Sequence, residues 1–193
     1  VMIGVQTPPH SDLSRYHELR RMGVNRVSFC FEIWNRERFV EVCPGKNREY
    51  GLDRYLEAIR YCAQEVGPTG RGFEPWVVNG EIIAGLEPPE DSIAAIDWIT
   101  RVGAVPTVCV FRPLAGSAME DEPPPRYEEM RRVMKHLWER CRDRAIPIGL
   151  AFFLTRGSGD VVALYPSPAG ATESELDLDA WADIFVRDTG AGT

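Results

Sequence analysis

An α/β fold, a partial (β/α) TIM-type barrel of about five parallel strands with flanking helices, is predicted by three observations in this sequence. Apolar, β-favouring runs alternate with amphipathic stretches of helical period. No antiparallel hairpin signal joins two of the runs, which argues for parallel strands linked by right-handed crossovers. The 193 residues fall short of the roughly 250 typical of an eight-stranded barrel.

Each element has its own signal. Val1–Gln6 is strand-like, and Thr7, Pro8 and Pro9 break it. Ser11 or Asp12 can cap a helix carrying Leu13, Tyr16, Leu19 and Arg20, closed by Gly23. Arg26–Phe31 is the next strand and ends at Glu32. After a long loop, Leu52, Tyr55, Leu56, Ile59 and Ala63 recur at helical spacing up to Gly67. Trp76–Val78 and Glu81–Leu86 make a third strand in two parts. Asp91 or Ser92 then caps a helix with Ile93, Ile96, Ile99 and Val102 on one face, closed by Gly103. Val105–Phe111 is a fourth strand, with Pro106 at its start. Tyr127, Met130, Val133, Met134, Leu137 and Cys141 stripe a long helix, and Ile146–Leu154 is a fifth apolar run. The expected division is a barrel portion over 1–157 and a weakly ordered extension over 158–193 with a short helix near Glu175–Val186.

Charge and composition narrow the function classes. A net charge of −7 argues against non-specific nucleic-acid binding, which needs a basic surface. No run approaches the roughly 20 apolar residues of a membrane span, so a cytoplasmic protein is expected. The five cysteines, Cys30, Cys43, Cys62, Cys109 and Cys141, include no CxxC pair, so neither a zinc ribbon nor a thioredoxin-type site is indicated. Four of them lie in strand-like or helical runs and read as small core hydrophobes. Only Cys43, beside Pro44 and Gly45, falls in an evident loop.

Ligands of parallel sheets bind at the carboxyl ends of the strands, so polar residues there are the site candidates. Glu32 ends five residues that favour burial, and Trp34 and Asn35 follow at once. Lys46 comes from the turn Cys43-Pro-Gly-Lys46 as a point charge suited to a carboxylate or phosphate. Arg54 either points a guanidinium toward the same mouth or pairs on the surface with Glu57 or Asp53. Gly80–Glu87 combines strand and turn, with small residues at Ala84 and Gly85 that let a flat ligand approach, and Glu87 at the end. Arg112 closes the fourth strand.

The run from Val24 to about Arg132 resembles the middle and later strands of radical S-adenosylmethionine (SAM) enzymes. It is most similar to the branch containing biotin synthase, the hydrogenase-maturation enzymes and the tyrosine lyase of thiamin biosynthesis. The resemblance implies that Glu32, Lys46 and Arg54 contact or support SAM. It matches Gly80, Ile82 and Glu87 to the G-x-I-x-G-x-x-E strand beside the adenine, with Ala84 at the second glycine and Gly85 one place late. The strand Val108–Arg112 corresponds to the one whose backbone approaches adenine, which makes Arg112 a further SAM-site residue. The cofactors implied are SAM and a 4Fe-4S cluster. The superfamily's CxxxCxxC is absent from this sequence, and three thiolates close together are needed to hold the cluster. The cluster is therefore expected only if a missing N-terminal segment is supplied.

The leading expectation is the C-terminal portion of a radical SAM enzyme acting on a small-molecule substrate. The alternative is a non-catalytic module that binds SAM, or a partner chain or second copy through an open sheet edge. A divalent-metal enzyme using Glu32, Glu81 or Glu87 is a third.

Overall fold

The computed structural model describes residues 3–67 and 76–146. Four strands, β1 (Gly4–Gln6), β2 (Arg26–Glu32), β3 (Val77–Ala84) and β4 (Val105–Val110), form one sheet in the order β1-β2-β3-β4. Every neighbouring pair is parallel. Six α-helices connect or follow them: α1 (Arg15–Arg21), α2 (Arg36–Val42), α3 (Pro44–Glu49), α4 (Leu52–Tyr61), α5 (Pro89–Arg101) and α6 (Tyr127–Asp143). A π-helical turn, Cys62–Val66, extends α4. Sequential strand order with a helix after each strand is the wall of a (β/α) barrel, as the sequence predicts.

The core lies between the sheet and its helices. Val27, Phe29 and Phe31 of β2 and Val78, Ile82 and Ala84 of β3 join Tyr16, Ile59, Ile96, Ile99 and Val133 from the helices in one buried cluster. Tyr16 meets Phe29 edge to face, with ring centroids 5.5 Å apart. Strand side chains alternate between faces, so the intervening residues point to the opposite, inner face.

Helix ends follow their glycines. At Gly23 (φ 95) the Val24 amide donates to the Leu19 carbonyl, and at Gly103 (φ 87) the Ala104 amide donates to Ile99. Both close their helices by the left-handed glycine motif read from the sequence.

The starts differ from expectation. α1 begins at Arg15, because Asp12 accepts from the Ser14 amide (3.0 Å) and hydroxyl (2.7 Å) and makes a turn instead of a cap. α5 begins at Pro89, whose missing N–H costs nothing in the first turn, so neither Asp91 nor Ser92 is its cap. The expected long loop after β2 holds α2 and α3. Asn35 caps α2 by accepting from the Glu37 and Arg38 amides, and Pro44 opens α3, so Lys46 stands on a helix and not in a free turn. The two-part third strand is one strand through Gly80.

Val1, Met2, most of the fifth apolar run after Ile146, the 157/158 boundary and the acidic extension with its short helix lie outside the described residues.

Candidate functional site

β2 ends irregularly. Cys30 pairs with Glu81 and Glu32 with Ile82, so Phe31 is an extra residue, a β-bulge. Glu32 has φ 66, and the Ile33 amide donates to the Phe31 carbonyl at 2.8 Å. A positive φ under an i→i+2 hydrogen bond is a γ-turn, a strained conformation for a side chain of this kind. It turns Glu32 onto the carboxyl end of the sheet. There the Lys46 ammonium donates to Glu32 Oε1 (2.6 Å) and to the Cys30 carbonyl (2.7 Å), over the Tyr55 ring. The side chains of Glu32 and Lys46 remain 22% and 33% exposed, so the pair stands open to a ligand.

Below this pair, the inner face is polar. Glu81 accepts from Ser28 Oγ, from Cys30 Sγ at 2.9 Å and from Gln6 Nε2 at 3.3 Å, and Gln6 Nε2 also reaches Cys30 Sγ. Arg26 Nη2 approaches Glu81 at 3.9 Å, and its Nε donates to Asn79 Oδ1 at 3.0 Å. Asn79 Nδ2 donates in turn to Thr107 Oγ1 at 2.9 Å. Barrel interiors are ordinarily packed with branched aliphatic residues. Here four adjacent strands instead supply two hydrogen-bonded groups joined by the Arg26–Glu81 ion pair.

The remaining sequence candidates occupy several environments. Arg54 Nη2 donates to the carbonyls of His10 (2.8 Å) and Ser11, and Nη1 donates to Glu57, so it ties the β1–α1 loop to α4. Gly80 faces α5: a Cβ there would lie 3.0 Å from Ile99 Cγ1. Ile82 is fully buried in the helix-side core. Gly85 (φ 102) lies against Pro125, 2.7 Å from where a Cβ would stand. Glu87 is buried, accepting from the amides of Trp34 (2.8 Å) and Asn35 (2.7 Å) and from Ser92 Oγ (3.2 Å). Burial outweighs these bonds and pushes its carboxyl above the usual range. Arg112 follows β4 at the same ends of the strands.

Glu32 and Lys46 are thus brought together, whereas Gly80, Ile82 and Glu87 face protein. Of the Gln6–Ser28–Cys30–Glu81 network, only Glu81 was a candidate from the sequence, as a ligand of a divalent metal. The signal of the network was period-two polarity within β2 and β3, Arg26, Ser28, Cys30 against Asn79, Glu81.

A cavity of about 470 Å³ lies apart from the charged pair, lined by Trp34, Asn35, Leu52, Leu56 and Asp91 among others.

Among the described residues, no group of three or more His, Cys, Asp or Glu is arranged to hold a metal ion. Burial raises the Cys30, Cys43 and Cys62 thiols, and pushes Cys109 to about 11 and Cys141 to about 12. Separate, protonated thiols do not fit an iron–sulfur cluster, whose ligands are thiolates. The mouth does fit the amino-acid end of SAM, a zwitterion that needs one anionic and one cationic partner.

Comparison with known proteins gives three findings. The model of DUF5947, a family of unknown function, matches residues 109–192. Bacteriochlorophyllide c C-7(1)-hydroxylase of Chlorobaculum limnaeum is 30% identical over 117 residues, covering 61% of this chain and 28% of that protein. Coproporphyrinogen III oxidase (HemN) from Escherichia coli, a radical SAM enzyme, superposes with a TM-score of 0.55 at 19% identity, over 75% of this chain and 32% of that one. The chain therefore spans about a third or less of the length of either protein. Its α/β fold is that of part of the HemN barrel. The likeness to HemN is one of fold, and neither likeness points to the biotin synthase branch. No helix of the described residues is long and apolar enough to cross a membrane.

Proposed function

We propose that this chain is the later part of a radical SAM barrel and binds SAM at the carboxyl ends of its strands. The observation that carries this reading is the partly exposed pair of Glu32, at the β2 bulge, with Lys46 of α3, at the carboxyl ends of the strands. Glu32 accepts hydrogen bonds from the ligand's ammonium group, and Lys46 pairs with its carboxylate, so SAM replaces one ion pair by two. Arg112, two residues past the end of β4, is the further cation assigned to the ligand in this reading, and Arg54 ties the β1–α1 loop to α4. In a complete enzyme a cluster held by other residues would supply the electron for radical chemistry on a small-molecule substrate. The described residues do not fit the cluster. The proposal for them is confined to holding and orienting SAM.

Equilibrium binding of SAM to the chain tests this. Glu32→Gln and Lys46→Met should each weaken SAM by about tenfold, the scale of one lost charge-assisted hydrogen bond. Unchanged affinity in both variants overturns the site.

The absence of the cysteine triplet favours a second reading, a SAM-binding module that completes its sheet with another chain and performs no chemistry itself. Cluster reconstitution with the upstream coding region added separates the two. A cluster that then cleaves SAM supports the enzyme, and SAM binding that never acquires a cluster supports the module.

A further inference from the structure

Glu32 holds a conformation that its own chemistry does not favour. A non-glycine residue at the centre of a γ-turn costs of order 1–3 kcal/mol, and such strain persists only where surrounding contacts over-determine it. The contacts come from the β3–α5 loop. The Glu87 carboxylate receives the amides of Trp34 and Asn35, the second and third residues beyond Glu32. The loop and the first turn of α5 add two more bonds: Asp91 of α5 accepts from Asn35 Nδ2 at 3.0 Å, and the Leu86 carbonyl accepts from Arg38 Nε at 3.1 Å. Ser92 donates to Glu87 and fixes the carboxylate plane. Two successive amides on one carboxylate oxygen leave the chain leaving β2 a single direction.

We propose that Glu87 is a positioning residue: by capturing the Trp34 and Asn35 amides it keeps Glu32 in the γ-turn and so keeps its carboxylate on Lys46. This assigns Glu87 a role through the backbone and not through contact with a ligand. It goes beyond the SAM reading and stands on its own geometry. Without Glu87 the turn relaxes toward negative φ, the Glu32 carboxylate swings away, and the Lys46 ammonium loses its anionic partner while keeping the Cys30 carbonyl.

The readout is the reactivity of Lys46 toward an acetyl N-hydroxysuccinimide ester, measured by brief labelling of the full chain and mass spectrometry. Glu32→Gln should raise Lys46 labelling about threefold, the scale of a lost, partly exposed ion pair. Glu87→Ala should raise it to the same extent, and Glu32→Gln/Glu87→Ala should add nothing further, because both act on one contact. Glu87→Gln keeps an acceptor oxygen and the side-chain shape, so it should fold as the parent does and give an intermediate rise. A residue that only supports the fold would change the labelling of Lys135, the one other lysine of the sequence, to the same extent, or add to Glu32→Gln. The proposal is overturned if Glu87→Gln and Glu87→Ala leave Lys46 labelling at the parental level, or if the double variant is additive. Should Glu87→Ala not fold, the Glu87→Gln result decides. No step uses SAM, so failure of SAM to bind would overturn the proposed function and leave this result standing.

Discussion

Glu32, Lys46 and Glu87 are three charged residues at one end of the sheet with three different duties. Glu32 and Lys46 face outward as a pair, and Glu87 faces inward onto amides. Their pH dependence separates them. Burial raises the Glu87 carboxyl above its ordinary 4.5, so over the interval above that value the folded state holds more protons than the unfolded one. The contribution of this group to stability is complete below the unfolded value and is lost as pH rises through the folded one. Urea denaturation across that interval should therefore show the parent gaining stability relative to Glu87→Gln on acidification. A difference independent of pH would mean that the Glu87 carboxyl titrates alike in the folded and unfolded states, and so that burial does not raise it. Glu32 stands out in the sequence because it ends an apolar run at a strand end, and Lys46 because it follows the Pro44-Gly45 turn signal. Glu87 was legible as a strand-end acid, but the direction of its side chain was not. A two-residue displacement past Gly85 sends it to the Trp34 turn, and nothing local in the sequence encodes that partner.

At the scale of elements, the strands and the longer helices were read with boundaries close to those observed, because the strands are apolar runs, the helices have a clear period, and glycine follows α1 and α5. The short helices α2 and α3 escaped. Seven and six residues give too few turns for a period to emerge, and α3 starts on Pro44, which in sequence reads as a turn. Gly80 shows what the period alone leaves out. In sequence it belongs to a ligand-binding motif, and in the fold it lets α5 close onto β3. Gly80→Ala places a methyl 3.0–3.3 Å from three carbons of Ile99 and should cost about 1–3 kcal/mol by overpacking. Ile99→Val, which removes Cδ1, should restore part of that loss in the double variant. Thermal melts of the four proteins measure it. A neutral Gly80→Ala would mean that α5 is free to move off the sheet.

Over the whole molecule, the two faces of the sheet divide the labour. The helix side holds the continuous apolar core, and the inner side holds Gln6, Arg26, Ser28, Cys30, Asn79, Glu81 and Thr107. Alternation along the strands made that division readable in outline, whereas the contacts across strands depend on register, which the bulge at Phe31 shifts. The thiols follow the same logic. With burial as the main cause of every rise, Cys30, Cys62, Cys109 and Cys141 should alkylate far more slowly than free cysteine at about pH 8 and at the free rate in urea. A folded-state thiol that reacts at the free rate would mark a site whose surroundings differ from those described here.

The polar inner face has a consequence for how such a chain varies between generations. Because folding rests on the odd-numbered residues of β2 and their helix-side neighbours, the even-numbered residues Arg26, Ser28, Cys30 and Glu32 can be exchanged in small matched sets without dismantling the scaffold. Descendants of one ancestral wall can thus acquire different ligand preferences through coordinated changes across adjacent strands. Single changes there would leave a stranded partner, so inheritance should favour pairs such as Ser28 with Glu81 moving together.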